Sequence, residues 1–156
     1  TELYIYLPAF KKVRRIATHV TEQGFLGTAL SQKDLTLTRY TKYYDATEKS
    51  SSGDSYTLAL EAKSDEAPYP SLELTVDKKL NHPTEIKYFG EGHKLLKTER
   101  RSDYKCEDKD GQKICLPHLM VMKDHTTDTT TALKIKKIHI NPKLDDALFS
   151  KRSLLP

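Results

Sequence analysis

The sequence predicts a mainly β protein: one curved antiparallel sheet of about eight strands, with one or two short helices. Apolar and polar residues alternate with a period of two through most of the chain, and turn residues interrupt the alternation about every 8 to 14 residues. Helix signals are few, and no internal repeat is visible. A chain of 156 residues is one domain by length, so residues 1–156 are expected to form a single β domain with an open or partly closed sheet.

Alternating apolar sets define the central strands. After the turn-rich stretch EKSSSGDS (48–55), three sets follow, each expected to share one face of the sheet: Tyr56, Leu58 and Leu60; Leu72, Leu74 and Val76; Ile86 and Tyr88. The glutamate, threonine and aspartate of ELTVD (73–77) take the opposite face. Two long strands are predicted next, from 94 to 106 and from 112 to 123.

The last strand, TTDTTTALKIKKIHI (126–140), changes phase between Ile135 and Ile138, which predicts a bulge. One helical turn is expected at about 32–36, because Ser31 is an N-cap residue type and Asp34 follows three residues later. A second short helix is expected at 144–149.

Two cysteines lie on either side of a strong hairpin signal. Asp110-Gly111 suits a two-residue type I′ turn, which requires positive φ at both central residues. Counting outward from this turn places Cys106 opposite Cys115 in a non-hydrogen-bonded pair, where side chains approach most closely. The spacing therefore predicts a cross-strand disulfide and, with it, an oxidising compartment. Two reduced cysteines that merely lie opposite each other remain the alternative.

Composition excludes several classes of protein. The 26 Lys and Arg against 22 Asp and Glu give a net charge of +4 with the signs interspersed, which is too mild for a nucleic-acid binder. The longest apolar run, LPHLMVM (116–122), is far shorter than the roughly 18 residues of a membrane-spanning helix. No signal peptide is visible in the sequence, so the cysteines carry the argument for the compartment.

The segment LYIYLPAFKKVRRI (3–16) places aromatic residues beside a basic cluster: Lys11, Lys12, Arg14 and Arg15. Three interpretations stay open: base stacking on nucleic acid, contact with an anionic head group, or a strand with a solvated charged side. If the segment is a strand, Arg14 and Arg15 point to opposite faces, and one of them is expected to approach the interior.

No metal or catalytic motif stands out. His118, Met120 and Met122 share a strand face with His125 just beyond, a ligand set that suits Cu(I), but flexible methionine filling a core is the simpler interpretation. The six histidines show no HExxH spacing and no serine lies in a GxSxG elbow. The paired acids Asp145 and Asp146 suit capping of a turn. We therefore expect no enzyme, no metal site and no cofactor.

Three segments resemble motifs of the outer-membrane lipoprotein-sorting family (LolA/LolB-like). The segment 3–16 resembles its W-x-Y-x-P-x-x-x-K-x-R-R-I motif, with Tyr4 at the tryptophan position, and FSKRSL (149–154) resembles its closing F-T-x-R-x-L. GFLGTALSQKDL (24–35) resembles F-M-G-T-D-F-S-Y-E-D-L, matching at Phe25, Gly27, Thr28, Ser31, Asp34 and Leu35. It departs at Ala29-Leu30 and Gln32-Lys33, which puts in doubt any partner contact made through the acids of that motif.

The resemblance implies a strongly bent antiparallel sheet, a half-barrel, around an apolar cavity plugged by helices. It implies a periplasmic carrier that binds lipoprotein acyl chains or related lipids for delivery towards the outer membrane, with an inner-membrane lipid transporter as a partner. The alternative is a periplasmic adaptor of such a transporter, docked through the basic cluster and without cargo. A lined cavity of several hundred cubic ångströms would favour the carrier.

Alternation and resemblance together nominate the residues of the site. The apolar cavity is expected to be lined by Tyr4, Tyr6, Phe25, Tyr56, Leu58, Leu60, Leu72, Leu74, Val76, Ile86 and Tyr88. Head-group or partner contact is assigned to Lys11, Lys12, Arg14 and Arg15. Family members carry further sequence upstream, which supplies their first strands and a helix. Because no long helix in this chain could cover the apolar sheet face, we expect self-association or a separate N-terminal segment to cover it.

Overall fold

The computed structural model describes residues 3–16, 24, 27–140 and 142–154. It confirms the predicted fold class, with nine strands and two short α-helices. Strands β1 (Leu3–Leu7) and β2 (Lys12–Ile16) form a separate two-stranded hairpin. The other strands form one antiparallel meander in chain order: β3 (Tyr44–Ser52), β4 (Ser55–Ala62), β5 (Ser71–Asp77), β6 (His82–Phe89), β7 (Leu95–Lys109), β8 (Gln112–Asp124) and β9 (Thr129–Lys134).

The N-terminal segment forms a hairpin because a proline interrupts it. Pro8 cannot donate to a strand ladder and begins a 3₁₀ turn, Pro8–Phe10, which ends at Lys11 with φ of 48°. The two strands then pair with Ile5 opposite Arg14. Arg14 and Arg15 are both exposed, so the expectation that one of them approaches the interior is wrong. A two-stranded hairpin is too thin for either face to enclose an arginine.

The meander aligns the predicted apolar sets across neighbouring strands. Leu58 lies opposite Leu74, which lies opposite Ile86, and one step along the strands Leu60, Leu72 and Tyr88 form a parallel row. Because every second side chain shares a face, the three sets meet on one side of the sheet. They form the centre of the hydrophobic core.

Two strand predictions needed correction. Residues 48–52, predicted as loop, belong to the edge strand β3, whose side chains are exposed after Tyr44 and carry no apolar alternation to reveal it. The last strand ends at Lys134 and has no bulge between Ile135 and Ile138. After a final hydrogen bond from Ile135 N to His118 O (2.8 Å), residues 136–140 leave the ladder.

The predicted helical turn is present as α1 (Gln32–Thr36), followed by α2 (Tyr40–Tyr43). Ser31 caps α1 in a capping box with Asp34, which satisfies two otherwise unpaired backbone N–H groups. Ala29 and Leu37 flank this helix and are buried in the core. The connecting segment therefore covers part of the sheet face that no long helix was expected to cover.

The β7–β8 hairpin projects beyond its neighbours. Strand β6 pairs with β7 only as far as Arg100, and β9 pairs with β8 only from Leu119, so residues 101–118 form an arm. The predicted disulfide between Cys106 and Cys115 is confirmed and joins the two strands of this arm. Closing a loop of about ten residues stabilises the folded state by roughly 2.5–3 kcal/mol in the chain-entropy model.

The second short helix, expected at 144–149, is present as a 3₁₀ turn at Asp146–Phe149, and a further 3₁₀ turn follows at Lys151–Leu154. Asp145 caps the first of them, because its Oδ1 accepts a hydrogen bond from Ala147 N at 2.8 Å. The second turn packs against β1. Among the described residues, no helix is long and apolar enough to cross a membrane.

Asp124 organises the turn between β8 and β9, and it gives the fold a predicted acid sensitivity. Its Oδ1 accepts hydrogen bonds from Thr126 N (2.8 Å), Thr126 Oγ1 (2.6 Å) and Thr127 N (3.3 Å). Burial alone would raise the pKa of Asp124, but the hydrogen bonds outweigh burial and lower it. A carboxyl whose folded pKa is lowered stabilises the protein above its unfolded pKa of about 3.9, and that stabilisation disappears as the pH falls through the folded pKa.

We therefore expect Asp124→Asn to lower the free energy of unfolding by about 1–2 kcal/mol at pH 6, and by much less near pH 2. Urea denaturation at several pH values measures this difference. Asp128→Asn, which changes an exposed carboxylate of the same turn, is the matched control and should have little effect. If Asp124→Asn lowered the free energy of unfolding equally at pH 6 and near pH 2, the negative charge of Asp124 would not be the source of the stabilisation.

Candidate functional site

An open apolar cleft of about 370 Å³ lies between the α1–α2 segment and strands β7 to β9. Its apolar wall consists of Leu30, Leu35, Leu37, Met120, Met122 and Leu133. Leu35 and Leu133 both line the cleft, and they are 58% and 40% exposed. Leu37 and Met122 belong both to the cleft wall and to the buried core, so the cleft opens directly onto the core.

A charged row forms the polar part of the cleft. Because Glu99 lies opposite Ile86, strand β7 places Lys97, Glu99 and Arg101 on the same sheet face as the apolar core. Tyr88 donates a hydrogen bond to Glu99 Oε2 (2.5 Å), and Arg101 Nε donates to Glu99 Oε1 (2.6 Å). Arg101 also donates to Tyr40 OH at 3.4 Å. Each oxygen of the Glu99 carboxylate thus accepts a hydrogen bond within the protein.

Burial and the neighbouring charges keep these groups in fixed protonation states. The pKa of Tyr88 is raised well above its ordinary value, by burial first and by Glu99 second. Burial would lower the pKa of Arg101, but the hydrogen bond to Glu99 and the nearby charges raise it overall. Burial also raises the pKa of the Tyr40 phenol. Two neutral phenols and a charged guanidinium make a structural network and do not provide a general acid or base near neutral pH.

A second buried ion pair fixes the α1 segment to the sheet. Lys97 Nζ donates to Asp34 Oδ2 at 2.7 Å and to Ala29 O at 3.0 Å. The two side chains are only 7% and 3% exposed. Asp34 Oδ1 also accepts a hydrogen bond from Tyr69 OH, and its Oδ2 accepts one from Ser31 N. Asp34, one of the residues that match the family motif, therefore positions one wall of the cleft.

The structure divides the residues predicted to line the cavity. Tyr56 and Leu58 pack against the core, and six others are buried inside it: Leu60, Leu72, Leu74, Val76, Ile86 and Tyr88. None of these eight lines the open cleft. Tyr4 and Tyr6 are half-buried in the separate hairpin, and Phe25 lies outside the described residues. Sequence reasoning found the sheet face but not the open part of it.

The residues that line the cleft were missed for identifiable reasons. The leucines of the α1 segment have no strand periodicity, and Glu99 and Arg101 are charged residues on an apolar face. One signal for the charged residues was available in the sequence. If the strands on either side of the turn at 90–92 pair with each other, the face that carries Ile86 and Tyr88 continues onto positions 97, 99 and 101.

The basic residues lie apart from the residues considered as copper ligands, and the copper candidates are themselves dispersed. Lys11, Lys12, Arg14 and Arg15 are exposed on the N-terminal hairpin. Met120 and Met122 line the apolar cleft, whereas His118 lines another cleft and His125 is exposed. Within the described residues, no group of three or more His, Cys, Asp or Glu could hold a metal ion.

Three solved structures share this architecture. A domain described as an outer membrane lipoprotein-sorting protein, from Vibrio parahaemolyticus, matches with a TM-score of 0.80 at 24% identity, over 99% of this chain and 66% of that one. A DUF1329 family protein from Desulfovibrio piger matches with a TM-score of 0.80 at 24% identity, over 98% and 64%. A LolA superfamily protein from Nitrosomonas europaea matches with a TM-score of 0.69 at 19% identity, over 98% and 68%. This chain thus spans about two-thirds of the length of each.

These likenesses show the class of fold: an open antiparallel half-barrel similar to that of the lipoprotein-sorting domain and of the LolA superfamily protein. No curated protein matches the chain. A family model with the description "Uncharacterized protein" matches residues 1–155, and the chain belongs to that family.

Proposed function

We propose that this protein is a carrier that binds the acyl chains of lipoproteins or related lipids in the apolar cleft and delivers them towards the outer membrane. The observation that carries the proposal is the cleft itself, an apolar space of about 370 Å³ that opens to solvent between Leu35 and Leu133. Its volume falls in the range of about 300–1,000 Å³ that is typical of ligand pockets. The shared fold with a lipoprotein-sorting domain supports the same function.

The energetics suit reversible transport. Each buried methylene contributes about 0.8 kcal/mol, so a 16-carbon chain that is half buried offers roughly 6 kcal/mol before the cost of ordering it. Binding of this strength needs no specific polar contact, and Glu99, Arg101 and Tyr40 already bond to one another. A ligand held this way can be released to a partner that buries more of it.

The buried rows below the cleft belong to the same proposal. A chain that extends past Leu37 and Met122 would reach the rows predicted from the sequence, with Leu60, Leu74 and Ile86 at their centre. Those rows would then form the inner wall of the site, and the leucines of the α1 segment its entrance.

Compartment and partners are part of the proposal. The disulfide supports a periplasmic location, because such bonds persist in oxidising compartments. The exposed basic residues of the N-terminal hairpin, Lys11, Lys12, Arg14 and Arg15, would contact a lipid head group or an inner-membrane lipid transporter. Self-association or a separate segment would cover what remains of the apolar face. The cleft volume favours the carrier over the adaptor without cargo, and the network of Glu99 and Arg101 offers no catalytic group.

Replacing Leu133 by glutamine should weaken acyl-chain binding roughly tenfold, because it puts a polar group in the cleft wall where a ligand would bury methylenes. The side chain is 40% exposed, so the fold should tolerate the change. Titration of a fluorescent fatty acid measures the affinity, and Leu148→Gln, at a leucine that is 57% exposed outside the cleft, is the control. Absence of saturable binding to the unmodified protein would refute the carrier function, and an equal loss in the two variants would refute the cleft as its site.

A further inference from the structure

A second cleft, of about 270 Å³, lies on the projecting arm of β7 and β8. The arm contributes Lys105, Leu116 and His118, and the segment that follows β9 contributes Lys136 and Lys137 with two isoleucines. This basic cleft takes no part in the core or in the apolar cleft described above. Its lining combines three apolar side chains with three lysines.

The walls of the basic cleft are fixed at both ends. Ile135 N donates to His118 O at 2.8 Å where the segment leaves the sheet, and Lys109 Nζ donates to Ile140 O at 2.6 Å at the far end. The disulfide between Cys106 and Cys115 joins the two strands of the arm beside it. The lysines therefore project from supported backbone on both sides of the cleft.

The charge of the basic cleft is uncompensated. Its lining holds three lysines and one carboxylate, Glu107, and within the described residues none of the four takes part in an ion pair. The net charge of the lining is thus +2, from three ammonium groups less one carboxylate. Ammonium groups that line one cleft without an acidic partner attract an oxyanion, even where the lysines are exposed, as these three are.

His118 adds a polar group to the lining. The residue is only 8% exposed, and its Nδ1 lies 3.2 Å from Leu116 O, a distance that suits donation to that carbonyl. Among the described residues, Nε2 has no hydrogen-bond partner, yet it is not sealed from solvent. The imidazole therefore presents a second nitrogen to whatever enters the cleft.

The basic cleft and the apolar cleft are lined by neighbouring parts of the same two strands. Arg101 and Met120 line the apolar cleft, and Lys105 and Leu116 line the basic one, four residues further along β7 and β8. The strand register is the same on both sides of this step. Four residues of strand span about 13 Å, which is within the length of one lipid molecule that crosses from one cleft to the other.

We infer that the basic cleft is the head-group site of the carrier and takes the phosphate of an anionic lipid whose acyl chain lies in the apolar cleft. The inference rests on the proposed function and specifies its ligand: an acyl lipid with a phosphate-bearing head group of net negative charge. Lys105, Lys136 and Lys137 neutralise the phosphate, and His118 contributes a hydrogen bond. This assigns the head group to residues other than the basic cluster of the N-terminal hairpin.

The test compares two lysophospholipids with the same acyl chain, one with a phosphoglycerol head and one with a phosphocholine head, by calorimetric titration below their micelle concentrations. We expect the unmodified protein to bind the anionic lipid about tenfold more tightly, with a preference that weakens as salt is added. In Lys136→Gln/Lys137→Gln the preference should fall to about twofold or less, while the affinity for the phosphocholine lipid changes little. The control variant, Lys94→Gln/Lys123→Gln, removes two lysines near those ends of β7 and β8 that lie away from the arm. It should retain the full preference for the anionic lipid.

The outcomes separate the two proposals. Equal binding of both lipids by the unmodified protein, or a preference that survives in the Lys136→Gln/Lys137→Gln variant, overturns the head-group site and leaves the carrier function standing. Failure of both lipids to bind overturns the carrier function. Inorganic phosphate is the third probe: if it binds as tightly as the anionic lipid, the cleft is a site for free oxyanions and the head-group assignment is wrong.

Discussion

Replacing Lys97 by methionine is expected to lower the free energy of unfolding by about 3–5 kcal/mol, because the change leaves a buried carboxylate without its cation. Lys97 Nζ is 2.7 Å from Asp34 Oδ2, and the pair is almost wholly inaccessible to solvent. The substitution also removes a donor from Ala29 O. Urea denaturation measures the loss, and the folded protein should in addition hold the α1 segment less firmly.

Two further variants isolate the buried charge. In Asp34→Asn/Lys97→Met no ion is left unpaired and the amide can still cap α1, so the double variant should be more stable than Lys97→Met alone. Lys123→Met removes an exposed partner of Asp128 and should cost no more than about 1 kcal/mol. If Lys97→Met lowers the free energy of unfolding as little as Lys123→Met does, then the ion pair of Lys97 and Asp34 does not hold α1 against the sheet.

Ile86→Ala is expected to lower the free energy of unfolding by about 2–5 kcal/mol. Ile86 is 0% exposed and lies between Leu74 on β5 and Glu99 on β7, so truncation leaves a cavity in the middle of the sheet face. Urea denaturation gives this value directly, and Ile86→Val, which removes one methyl group, should cost about 0.5–1.5 kcal/mol.

Ile86→Ala also tests whether a ligand contacts the buried row of side chains that contains Ile86. If acyl chains reach Ile86, the cavity made by alanine should change affinity for long fatty acids more than for short ones, because only long chains extend past Met122. A truncation that destabilises the protein but leaves every affinity unchanged would confine the ligand to the open cleft. A small stability cost would contradict the tight packing around Ile86.

The sequence predicted best those features that a local rule determines. The turn at Asp110-Gly111 sets the register of its own hairpin, so the pairing of Cys106 with Cys115 follows by counting. The alternating sets around Leu58, Leu74 and Ile86 correctly marked one face of the meander, because a period of two assigns faces without knowledge of the rest of the chain.

Features that depend on distant partners could not be predicted in this way. After Tyr44, strand β3 is almost entirely polar, and it is a strand only because β4 pairs with it. Lys97 and Glu99 are tolerated on an apolar face because Asp34 and Arg101 neutralise them, and Asp34 lies 63 residues away in the sequence. The leucines at 35 and 133 come together only when the α1 segment packs over β9, so no local pattern points to the cleft.

The exposed strand β3 limits how the sheet can grow. It carries Asp45, Glu48 and Lys49, and its register shifts between Glu48 and Ser50. Charge and a bulge on an outer strand both disfavour the addition of a strand from another molecule. Edge-to-edge polymerisation through β3 is therefore discouraged by its own residues, and an extended peptide from a partner would find a poor template there.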